Sequence, residues 1–105
     1  MTPQQNSLPI PERVRLVIAL TEVNSRYLRG ENRCAGAEIE LACALACEKR
    51  EGVTPDRTRD IVQLRARLDA SQNELLAIEA ERDWLENELA NFDTAEPNKK
   101  PGEWQ

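Results

Sequence analysis

The sequence predicts an all-α fold: a long antiparallel helical hairpin of coiled-coil type that completes a four-helix bundle by dimerisation. Three observations carry this. Two stretches of about 40 residues are free of proline, a Gly52-Val53-Thr54-Pro55 turn separates them, and both carry apolar residues in steps of three and four. Aromatics make up only 4% of the chain, so its core is aliphatic, and its few glycines and prolines do not suit a turn-rich β-sandwich.

The elements follow in chain order. Residues 1–11 hold three prolines among polar residues and read as a flexible arm. A first helix is expected over about 12–51, starting where Pro11-Glu12 suits a first turn and stopping at Gly52 after Lys49 and Arg50. In the turn over 52–55, Thr54 caps a second helix and Pro55 leads into it; that helix runs over about 56–93. The tail over 94–105 is polar, holds two prolines, and is expected to be flexible. Its Trp104 has no core to join and suits a short docking peptide as well as an incidental role.

The second helix carries a regular seam: Ile61, Leu64, Leu68, Ser71, Leu75, Ile78, Arg82, Leu85, Leu89 and Phe92. The first carries a matching one with small residues in its middle: Leu16, Leu20, Val23, Tyr27, Gly30, Cys34, Ala37, Leu41 and Ala44. Folded back at Gly52-Val53, the seams pair positions whose numbers sum to 105, such as Leu20 with Leu85 and Leu41 with Leu64. Shared spacing guarantees part of that match, so the flanking charges are the independent test. They pair Arg26 with Glu81, Arg33 with Glu74, Glu40 with Arg67 and Glu38 with Arg65, with Glu48 and Arg57 meeting beside the turn. Gly30 and Gly36 are expected to lie within one continuous helix, packing closely against Leu75 and Leu68. Arg82, opposite Val23, should reach out toward Glu79, Glu86 or a carboxylate of a second chain.

The surfaces left over point to association. Val14, Val17, Ile18, Leu28 and Ile39 fall outside the first seam, and Trp84 outside the second. A lone hairpin would leave them in water, which soluble monomers rarely tolerate as a stripe. The expected partners are a second copy of the chain and a further protein whose identity the residues do not reveal. A second feature is an acidic strip of Glu79, Asp83, Glu86 and Glu88 near the end where the termini meet. It serves as a solvated face or, in a sharper reading, as an imitation of nucleic-acid phosphates that blocks a basic groove.

Other functions are disfavoured by what the chain lacks. Histidine is absent, which removes the usual proton shuttle and the His-dependent nucleophiles and metal sites. No phosphate loop, dinucleotide fingerprint, nucleophile elbow or calcium loop occurs. The expectation is no enzyme, no catalytic residue, no cofactor and no metal. Cys43 and Cys47 lie four apart on one helix, but with Cys34 they read as small apolar packing residues. A net charge of −5 disfavours direct nucleic-acid or anionic-membrane binding. Capture of a small anion or nucleotide between protomers by Arg26, Tyr27, Arg29 or Arg82 is a third possibility. The opening MTPQQNSLPIPERVR lacks an apolar export core, and the odd number of cysteines suits a reducing compartment, so a cytoplasmic location is expected. These observations together predict a non-enzymatic interaction module that acts stoichiometrically as a regulator, adaptor or inhibitor.

Overall fold

A computed structural model describes residues 10–95, which form two helices and no strand: α1 (Glu12–Glu51) and α2 (Pro55–Ala95). The helices span 40 and 41 residues, about 60 Å each at ~1.5 Å per residue. They run antiparallel, so Arg13 meets Asp93 at the open end while Arg57 meets Glu51 at the turn. The hairpin is the one its heptads describe, and α2 continues two residues beyond the expected end. The N-terminal arm before Ile10 and the tail after Ala95, with Trp104, lie outside the described residues.

The turn is built by backbone chemistry. Gly52 has φ near 100°, a conformation that glycine adopts without strain, and its N–H donates to the Glu48 carbonyl at 2.8 Å. Thr54 caps α2 as its sequence position implied: Oγ1 accepts the Arg57 N–H at 3.1 Å. The Arg57 guanidinium then ties the turn together, donating to the Gly52 carbonyl and to Glu51 Oε1, each at 2.8 Å. The expected Glu48–Arg57 pair therefore does not form. Glu51 is nearer along the clamp, and Arg57 gains a carbonyl as well.

Every seam position in both helices is buried or half-buried. In the half near the termini, Val23, Ile78 and Leu85 form a buried cluster with Leu16, Ala19, Leu20 and Tyr27 against it, and Val23 is wholly enclosed at 0% exposure. In the half near the turn, Cys34, Ala37, Leu41 and Ile61 are buried. Smaller side chains fill the α1 seam there, and at Gly30 the facing helix leaves no slack. A Cβ at Gly30 would sit 3.0 Å from Leu75 Cδ1.

α1 passes through both of its glycines unbroken. Only one of them packs as expected. Gly36 is exposed and a Cβ there would meet nothing within 4 Å, so its proposed contact with Leu68 is absent. The reason is register: Gly30 is a seam position, and Gly36 lies on the outside of the helix. The two glycines should respond oppositely to substitution. Gly36→Ala should stabilise the fold by up to about 1 kcal/mol through helix propensity, whereas Gly30→Leu should cost about 1–3 kcal/mol by overpacking. Urea denaturation measures both, and a stabilising Gly30→Leu would contradict the close approach.

Candidate protein-interaction surfaces

In coiled-coil notation the seam occupies positions a and d, the flanks e and g, and the outside b, c and f. The two long edges of this hairpin differ. Along the g edge, Arg26 donates to Glu81 at 2.7 Å, Arg33 to Glu74 at 2.9 Å and Arg67 to Glu40 at 2.6 Å. Three of the four expected cross-helix pairs are thus formed, all on one edge. The fourth, Glu38 with Arg65, belongs to the e edge and makes no ion pair among the described residues, a correction to the sequence reading. Pairing by residue number weights both edges alike, and at a surface an ion pair gains little, so a register that fits both edges need not close both.

The ion-pair ladder has measurable consequences on its own groups. The Arg26 hydrogen bond holds the Glu81 carboxyl below its ordinary value, and Glu81 in return raises Arg26. An open groove of about 420 Å³ runs beside the ladder, lined by Arg26, Arg29, Arg33, Glu74, Ala77, Ile78 and Glu81. Two of its three arginines are already committed to glutamates, which leaves it poorly equipped as an anion trap.

Arg82 takes a different partner from those expected. Its guanidinium carbon lies 4.2 Å from the centre of the Tyr27 ring, and the Tyr27 hydroxyl donates to Glu79 at 3.1 Å. A stacked guanidinium keeps its charge on a π face at the edge of the seam, which answers the desolvation problem without a carboxylate. Tyr27, Glu79 and Arg82 thereby become one unit. At the open end, Arg13 grips Asp93 through Nε at 2.8 Å and Nη2 at 3.4 Å, a contact the charge pairing had missed.

All six candidate association residues are exposed, from Val17 at 38% to Ile39 at 64%. They do not share one face. Val14 and Leu28 fall at b and Val17 at e, on the flat side opposite the ladder, together with Val62 and Leu76 of α2. Ile18 and Ile39 fall at f, along the outer edge of α1, and Trp84 at c, on the ladder side. The acidic strip divides similarly. Asp83 and Glu86 are exposed on the flat side, Glu79 there is bound to Tyr27, and half-buried Glu88 flanks the other edge. Val62 and Leu76, which the sequence also leaves outside the seam of the second helix, take their b positions from the same heptads and are exposed.

Among the described residues, no group of histidine, cysteine or acidic side chains is placed to hold a metal ion. Cys34 is buried, Cys47 half-buried and Cys43 exposed, all as free thiols. No helix of the described residues is long and apolar enough to cross a membrane. No family model, curated protein or solved structure matches this chain.

Two titrations test this arrangement. Tyr27 is the sole tyrosine, and its hydrogen bond to Glu79 raises it above the ordinary value. Phenolate absorbance should therefore titrate late, and Glu79→Gln should bring the midpoint down; an unchanged midpoint would refute the bond. For Glu81 the folded value is depressed, so its stabilisation is present above the unfolded value and is lost as pH falls through the folded one. The acid side of a melting-temperature profile should be shallower in Glu81→Gln than in the parent.

Proposed function

We propose that this protein is a non-enzymatic interaction module that acts stoichiometrically on another protein through its helix faces, as a regulator, adaptor or inhibitor. One observation carries the reading: large apolar side chains are displayed in water along a rod whose polar groups are otherwise satisfied. Ile18 and Ile39 on the outer edge of α1 and Trp84 on α2 are 47%, 64% and 58% exposed. No buried side-chain nitrogen or oxygen among the described residues lacks a partner. Exposed aliphatic and aromatic side chains are the anchors of protein interfaces.

The acidic-mimic alternative finds less support. Glu79 is engaged by Tyr27, and Glu88 stands apart from Asp83 and Glu86, so no continuous phosphate-like row is presented. Capture of a small anion is likewise weakened, since Arg26 is paired and Arg82 is stacked on Tyr27.

The outer edge of α1 is the place to test the reading. Ile18→Glu with Ile39→Glu should leave helicity intact, because both residues are exposed. The pair should abolish recovery of a fixed-ratio complex when tagged protein is used as bait in an extract of its own cells. Recovery of the same complex by the double variant and by Trp84→Ala alike would count against it.

A further inference from the structure

We propose that the flat face, built from positions b and e of both helices, is the seat of a second copy of this chain, docked head to tail. This goes beyond the functional reading, which concerns a foreign partner and uses the outer edge of α1. The apolar residues on this face form three belts. Leu28 and Leu76 lie level at mid-rod. Val14, Val17 and Ala90 form a belt two heptads toward the open end, and Ala42, Leu45 and Val62 form another two heptads toward the turn. Equal steps of about 21 Å on either side of the centre follow from ~1.5 Å per residue. A twofold axis across the rod at Leu28 and Leu76 therefore lays each of these leucines on its own copy, Val14 on Ala42 and Val62 on Ala90. Isologous interfaces require such self-complementarity.

Charge selects the head-to-tail direction. About the level of Leu28 and Leu76, the half nearer the termini (residues 12–28 and 76–95) holds eight acids against four bases, whereas the half nearer the turn (29–75) holds nine against eight. Rods side by side in the same direction would place the two acidic halves together. Rods in opposite directions place each acidic half on a neutral one. In that register Arg65, which has no ion pair among the described residues of its own chain, meets Glu86 of the second copy, and Gln72 meets Glu79. Asp69 meets Asp83 and Val17 meets Glu38, unfavourable contacts that the twofold repeats. The opposite face is zipped by the Arg26, Arg33 and Arg67 pairs and exposes Trp84 as its single large apolar side chain among the described residues. The area suffices: a face about 60 Å long and two helices wide, at 8–10 Å spacing, offers about 1,000 Å² per copy, against about 800 Å² in a standard interface.

The full-length chain tests this by sedimentation equilibrium, with circular dichroism as the control for folding. The wild-type protein should be a dimer at micromolar concentration, and Leu28→Glu and Leu76→Glu, both at exposed positions, should each weaken it at least about tenfold, the scale of losing one buried leucine per copy. Arg65→Glu should weaken the dimer and Glu86→Arg should restore it, while Asp69→Asn should tighten it. A wild-type monomer at 100-fold higher concentration, or a dimer indifferent to both leucine variants, would overturn the proposal. Rescue of Arg65→Glu by Glu38→Arg and not by Glu86→Arg would overturn the head-to-tail register. A monomeric result would leave the Ile18 and Ile39 experiment to judge the foreign-partner reading separately.

Discussion

The heptad seam is the constraint on which everything else rests. Two helices of about 60 Å have no other core to join, and their burial comes from one line of contacts repeated along the rod. A seam of this kind admits few registers, because a shift along either helix would set Arg82 and Gly30 against the wrong neighbours. Gly30 fits only where Leu75 comes close. Arg82 fits only where Tyr27 offers its ring. The short turn, held by Arg57 on Glu51 and on the Gly52 carbonyl, then fixes the register that those residues require.

From that register follows the difference between the two sides of the molecule. Arginine and glutamate lie along one edge at spacings that match across the helices, so that edge zips closed. The other edge carries Asn24, Glu31 and Glu38 against Arg65, Gln72 and Glu79, a sequence with fewer opposed charges and more amides. Its surroundings hold Leu28, Val62 and Leu76. The hairpin is a two-sided object: a side zipped within one chain apart from the exposed Trp84, and an apolar side that one chain leaves open.

Most of the fold was legible in the sequence because periodicity is a strong signal over eleven turns of helix. The seam residues, the glycine stop, the Thr54 cap and three cross-helix ion pairs could all be read from spacing alone. What could not be read were choices between near-equal options for flexible side chains. Arg57 had two acids within reach and took Glu51; Arg82 had two carboxylates on its own helix and took an aromatic ring. Gly36 was misjudged for a different reason. Two glycines six residues apart look alike in sequence, yet they differ by most of a half-turn around the helix, so one faces the partner and the other faces water. The candidate surface was partly legible: the heptads place the exposed residues on their faces, but which long edge zips closed came from the ion pairs of the fold.

A hairpin this long has a built-in mechanical polarity. Contacts beside the turn join residues only a few apart in sequence, as Arg57 and Glu51 are, whereas Arg13 and Asp93 are separated by 80 positions. Loop closure is cheapest at the turn and dearest at the open end, yet the most enclosed residue, Val23, and its neighbours Ile78 and Leu85 lie toward the open end. The tightest packing thus serves as a clasp on the part of the zipper that would otherwise fray first. A tug on the two termini would meet the Val23 cluster first, and the buried Cys34, Ala37, Leu41 and Ile61 only after it.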